Sequence, residues 1–278
     1  MDRWLPRIGR LVGTAVGAFA GVVAIQLMRL RRMEFLPGHP GFYINHVVRP
    51  DAPAANYRPL RLVVLGDSTT AGVGVDRPED SLPYRLARRM AEAERRAVHV
   101  VSYGWAGARV ADLVRQQLPR ALQPLRASET EPFLPAADIV AVVIGSNDAT
   151  HRTSPGHFRA DLRAVLAGVR EAAPAARVVL AGIPTFRGAL PGVEPLIFLT
   201  DQYARLLRPI GRSEAARLGV AYADLASELP DRLRGRSDIF AGDGFHPSAV
   251  GYAAWADVIA DALAGAPAPG RSLDSAGA

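Results

Sequence analysis

The sequence predicts an α/β fold, a three-layer α/β/α sandwich around a five-stranded parallel sheet. Three observations carry that reading. Five short runs rich in Val, Ile and Leu recur between residues 60 and 224, as in strands covered on both faces. Helix-length stretches with recognisable start signals separate them. Alternation of this kind builds a parallel sheet with helices on both sides, and such sheets bind ligands outside the carboxyl ends of their strands.

In chain order, residues 1–32 come first. The run LVGTAVGAFAGVVAIQLM, residues 11–28, holds no charge; Arg3, Arg7 and Arg10 precede it and Arg29, Arg31 and Arg32 follow. About 18 apolar residues in a helix just cross a hydrocarbon core, and flanking Arg side chains snorkel to the headgroups. The segment therefore reads as one N-terminal membrane anchor. Ala18-Phe19-Ala20 also fits a small-x-small signal-cleavage site, which makes secretion after cleavage the alternative. Apolar sequence continuing past Ala20 favours the anchor. The balanced arginines leave the side of the membrane undecided.

Residues 33–59, with Pro37, Pro40, Pro50, Pro53 and Pro59, read as an extended linker. The globular domain covers 60–264. Its strands are expected at Leu60–Leu65, Val98–Tyr103, Asp138–Ile144, Arg177–Ile183 and Gly219–Asp224. Helices are expected from Ser81-Leu82-Pro83 to about Arg95, over Val110–Leu122 with a bend near Pro119, and from the Ser154-Pro155 start to Ala172. Two more run from about Pro195 to Leu218, with a kink at Pro209, and from Pro247 to about Ala264. Residues 265–278 read as a disordered tail.

The 278-residue chain has no cysteine, which excludes disulfides, a thiol nucleophile and thiolate metal sites. Its formal net charge is +6, and all the basic residues are Arg, spread among acids rather than gathered into an arm. That distribution argues against nucleic acid as a partner.

The strand ends carry Gly66-Asp67-Ser68, Gly104-Trp105-Ala106-Gly107, Gly145-Ser146-Asn147-Asp148 and, after a short connection, Asp243-Gly244-Phe245-His246-Pro247. A phosphate cradle does not fit the first cluster. Five residues separate Gly66 from Gly72 and no lysine follows, so the Walker A spacing fails. Gly72-Val73-Gly74 lacks the third glycine of the dinucleotide fingerprint. Acyl transfer does fit. A serine hydroxyl needs a base, an imidazole serves, and a carboxylate fixes its tautomer. Asp243 and His246 reach one edge from one short loop. Backbone N–H groups of Ser68 and Gly107 and the Asn147 amide are suitable donors for an oxyanion.

Together, GDS, GSND and DGFHP, each at an expected strand end, resemble the blocks of the SGNH (GDSL-type) serine hydrolases. The resemblance spans residues 60–264. It implies the flavodoxin-like SGNH hydrolase fold, Ser68 as nucleophile, Asp243 and His246 as its partners, and Ser68, Gly107 and Asn147 as oxyanion hole. Thr69 stands where the family name has Leu. The second block has Ser102 and Tyr103 where an Asn is frequent, which makes Gly104 the rival of Gly107. Asp67 and Asp148 read as loop-holding residues, His151 as the competing base, and Gly72 and Gly74 as flexibility in the loop that leaves Ser68. No metal and no cofactor is expected.

The expected function is a serine esterase or lipase acting on lipid or simple acyl esters through a Ser-His-Asp triad. A glycan O-acetyl esterase or acyltransferase of the same family is the alternative, and a non-catalytic binding protein on this fold is the second class. The partners expected are an ester substrate and a membrane. Segment 184–199, largely apolar, is placed at the active edge as a lining for an acyl group.

Overall fold

The computed structural model describes residues 5–32, 44–52, 58–125, 131–190 and 193–265. Most of the tail and much of the proline-rich linker lie outside these. A 28-residue helix α1 (Leu5–Arg32) comes first. Strand β1 (Asn45–Val48) and β2 (Leu60–Gly66) follow, then α2 (Leu82–Glu94) and β3 (Val98–Ser102). The next helical stretch is broken into α3 (Val110–Asp112), a π turn (Leu113–Gln117) and α4 (Leu118–Ala121). β4 (Ile139–Val143), α5 (Ser146–Thr150), α6 (Pro155–Ala172) and β5 (Arg177–Ala181) come next. The chain closes with α7 (Leu196–Arg217), β6 (Ala221–Ala223), α8 (Leu225–Arg232) and α9 (Ala249–Ala264).

The sheet has six strands in the order β1-β3-β2-β4-β5-β6, where five parallel strands were expected. The extra strand, β1, lies in the segment read as linker and pairs antiparallel with β3, Asn45 opposite Val101 and Val48 opposite Val98. A four-residue strand close to prolines carries little sequence signal. β1 is an edge, with one ladder to satisfy. An antiparallel edge on a parallel sheet is common. The other five strands are parallel to one another.

Alternate residues of the central strands face opposite layers, as the period of two requires. Val63, Leu65, Val140, Val142 and Leu180 pack with Leu162, Leu166 and Leu207 of α6 and α7. Leu62, Val64, Ile139, Ala141 and Val179 pack with Leu86, Tyr252 and Ile259 of α2 and α9. Burying one such Leu or Ile side chain contributes roughly 1.5–3 kcal/mol. Crossovers run outward in both directions from β2, so the switch point lies between β2 and its neighbours. That is where an open α/β sheet parts to admit a ligand.

Among the described residues no helix is long and apolar enough to cross a membrane. Side chains 5–11, 15, 27 and 30–32 of α1 lie outside that set. α1 meets the domain where the buried Gln26 Oε1 accepts a hydrogen bond from Leu196 N at the start of α7 (3.1 Å).

Candidate active site

β2 ends at Gly66 because little else fits. A Cβ there would lie 2.2 Å from the carbonyl oxygen of Val143 and 2.6 Å from Thr70. Gln117 holds this residue from both sides. Its Nε2 donates to Gly66 O (2.7 Å) and its Oε1 accepts from Gly66 N (2.9 Å). The π turn carries Gln117, fully buried, to this position, and it precedes Pro119. Proline lacks an N–H for the helical ladder. The bend expected near Pro119 is therefore a local change of helix type, and Gln117 is a positioning residue that the sequence did not single out.

After Gly66 the chain turns tightly. Asp67 O accepts from Thr70 N and Ala71 N (both 3.1 Å) and from Thr70 Oγ1 (2.8 Å). Asp67 Oδ1 accepts from Thr69 N (3.0 Å) and Thr69 Oγ1 (2.8 Å). Burial pushes the Asp67 carboxyl up, with the Thr69 hydrogen bonds pulling against it. Asp67 thus holds the turn that presents Ser68, and Thr69 supplies a bond that a leucine could not make. Further along, Val73 N donates to Ser68 O (3.0 Å), and the buried Tyr252 hydroxyl donates to Val73 O.

Gly74 has φ +105°, and a Cβ there would lie 2.5 Å from Pro247 O and 3.1 Å from His246 Cβ. It is a point of close approach between the Ser68 loop and the His246 loop, which corrects its reading as loop flexibility.

In the facing loop, Asp243 Oδ1 accepts from the backbone N–H groups of Phe245 and His246 (both 2.9 Å). Its Oδ2 accepts from His246 Nδ1 at 2.6 Å. That bond assigns the proton to Nδ1 and turns the Nε2 lone pair toward Ser68 Oγ, 3.0 Å away. Ser68, Asp243 and His246 are all buried. Burial raises the Asp243 carboxyl, but the His246 side chain and the two backbone donors outweigh it and bring it to about 2. Phe245 packs edge-on against the imidazole (5.3 Å between centroids) and stacks on Phe186 (6.3 Å).

Asn147 sits in α5, whose first turn follows Gly145 at φ +116°. Its Nδ2 donates to Ala108 O (3.0 Å), which leaves the second amide hydrogen for another acceptor. Asp148 Oδ2 accepts from Val110 N (3.0 Å); burial raises this carboxyl. Together the two residues tie the β4 end to the Gly107-Ala108 stretch. Gly107 has φ +83° and open space where a side chain would be. Its rival Gly104 is packed: a Cβ there would lie 1.8 Å from Thr70 Oγ1 and 3.0 Å from Asp67 O. His151 is exposed and bonds locally, Nδ1 to Asn147 O (2.9 Å), away from Ser68.

Ser68, Asn147 and His246 line one cavity of about 430 Å³, a volume within the range of small-molecule sites, roughly 300–1,000 Å³. Asp243 lies behind His246, and Gly107 is not part of the cavity wall. Phe186 and Ala189 line it, as expected of segment 184–199; residues 191 and 192 of that segment lie outside the described residues. Leu229, Leu233, Phe240 and Trp255 add an apolar wall that the sequence reading did not include.

The family model for the GDSL-like lipase/acylhydrolase family matches residues 64–254. No curated protein matches the chain in sequence. Among solved structures, a lipase/acylhydrolase from Enterococcus faecalis is similar at 22% identity and TM-score 0.57, covering 77% of this chain and 100% of that one. Phospholipase A1 from Streptomyces albidoflavus is similar at 22% identity and TM-score 0.52, covering 76% and 100%. TesA is similar at 22% identity and TM-score 0.55, covering 73% and 97%. At these identities the likeness is one of fold.

Proposed function

The chain belongs to the GDSL-like lipase/acylhydrolase family and is a hydrolase acting on ester bonds; from that premise we propose that Ser68, His246 and Asp243 form its catalytic triad. The observation that supports this most is the unbroken hydrogen-bond chain from Asp243 Oδ2 through the imidazole to Ser68 Oγ, at 2.6 and 3.0 Å. Ser68 Oγ attacks the ester carbonyl as His246 Nε2 takes its proton. The carbonyl oxygen becomes an oxyanion, met by the N–H of Ser68 and the remaining Asn147 amide hydrogen, with the Gly107 N–H, set back from the cavity wall, as the third donor the family resemblance implies. Collapse of the intermediate breaks the ester C–O bond. The leaving alcohol takes the proton from His246, and an acyl-Ser68 remains. Water, deprotonated by His246, then releases the acid and restores Ser68.

Lipid or simple acyl esters are the substrates, supported by the apolar wall of Phe186, Leu229, Phe240 and Trp255 beside Ser68. Hydrolysis across acyl lengths tests this. Octanoyl esters should outrun acetyl esters, and Ser68→Ala should lower every rate by about 10⁴-fold or more. A sharp preference for acetyl would transfer the assignment to a glycan O-acetyl esterase.

The uncharged run 11–28 supports a membrane anchor. Val12, Val16, Phe19, Val22, Ile25 and Met28 of α1 are exposed, apolar side chains spread around much of the helix and suited to lipid contact.

A further inference from the structure

The wall of the Ser68 cavity divides by chemistry. α8, the loop after it and α9 contribute Leu229, Leu233, Phe240 and Trp255. The loop after β5 and α7 contribute Arg187, Arg205 and Arg208, with Asp201 among them, next to the apolar Phe186 and Ala189. Arg205 and Arg208 share the Asp201 carboxylate, which leaves Arg187 outside that pairing. Arg208 is committed: it donates to Asp201 Oδ1 (2.7 Å), Ile183 O (3.0 Å) and Pro184 O (2.6 Å). Arg205 stands 3.5 Å from Asp201 Oδ2, with half of its side chain exposed. Arg187 is exposed, and among the described residues no carboxylate lies within ion-pairing distance of it. The other carboxylate in the cavity wall, Asp67, is buried and accepts from Thr69.

A solvated surface arginine would account for the exposure of Arg187. It would not account for its place on the wall of the Ser68 cavity, which the half-exposed Arg205 also lines. Guanidinium groups bind phosphate and carboxylate oxygens in a paired geometry. We propose that Arg187 and Arg205 bind an anionic group on the alcohol part of the substrate, so that the site selects acyl esters of negatively charged alcohols over neutral ones. The acyl chain takes the apolar wall, which leaves the cationic wall to the alcohol. This rests on the esterase reading of Ser68 and names the substrate class of that site.

The test uses the full chain in a neutral detergent and three esters with one octanoyl group: 1-octanoylglycerol, its 3-phosphate, and octanoyl glycerate. The expected kcat/KM for both anionic esters exceeds that of the neutral one by about tenfold, the effect of roughly one partly exposed charge pair. Arg187→Gln should collapse the anionic-to-neutral ratio to about one, acting through KM, and Arg187→Lys should keep part of it. Salt at about 0.5 M should do the same to the wild type by screening. A wild-type ratio near one, or a ratio unmoved by Arg187→Gln, overturns the anionic site while leaving the esterase reading in place. Preference for the phosphate alone assigns the site to phosphorylated alcohols. Cleavage of none of the three, by a protein that still hydrolyses a small activated acetyl ester, overturns the lipid-ester reading and the anionic site with it.

Discussion

Ser68 on its own is an ordinary turn serine; its neighbours give it chemistry. Asp243 illustrates how. Its carboxyl is held at about 2, below the ordinary value of about 3.9, by His246 and two backbone N–H groups. A carboxyl depressed in the folded state stabilises the fold above its unfolded pKa. That stability is lost as pH falls through the folded value. The stability gap between wild type and Asp243→Asn, read from urea unfolding, should therefore be full above about pH 4 and close toward about pH 2. A gap independent of pH would contradict an ionised Asp243 held by its three hydrogen bonds. The same variant should lose activity by about 10⁴-fold in kcat, because an amide oxygen pairs poorly with a positive imidazole. Asn147→Ala should cost about 10²–10³ in kcat with little change in KM, since an oxyanion donor acts only in the transition state. A change confined to KM would assign Asn147 to substrate binding instead.

At the scale of elements, what matters is how loops from different strands are locked together. Gln117→Leu leaves the N–H and C=O of Gly66 without their side-chain partners, in a place water does not reach. Thermal or urea unfolding should show a loss of about 2–4 kcal/mol. Gly74→Ala forces a Cβ toward Pro247 O at a positive φ. It should displace the His246 loop and lower kcat as well as stability, and a variant with normal kcat would show that the contact is slack. Neither residue announced its role in the sequence. Gln117 is seen only when the π turn brings it across to Gly66, a partner 51 residues away. Gly74 matters because of Pro247, which is more distant still. The elements themselves were more legible. Five parallel strands, the Ser154 cap, which accepts from His157 N (3.3 Å), and the α7 and α9 starts follow local signals. β1 did not, since four residues amid prolines carry no periodicity and its pairing with β3 is purely tertiary. The short helices α5 and α8 fall below the length at which a periodic pattern is readable.

Over the whole molecule, the strand order puts Ser68 after β2 and Asn147 after β4, neighbours across the switch point. His246 arrives from beyond the last strand. Four clusters scattered over almost 180 residues thus meet at one edge, which is why their joint presence was informative when each alone was not. The N-terminal segment poses the other question at this scale. An uncharged run framed by arginines predicts that the full chain sediments with membranes and resists extraction by salt and by alkaline carbonate. Release by either treatment would assign α1 to the domain surface, where Gln26 already meets Leu196.

The central claim is that Ser68 is the nucleophile. Labelling of the intact protein with a fluorophosphonate, followed by mass mapping of the modified peptide, tests it most directly. The account predicts a single adduct on Ser68, absent from Ser68→Ala and strongly slowed in His246→Ala. An adduct on another residue, or labelling that survives in Ser68→Ala, would contradict it.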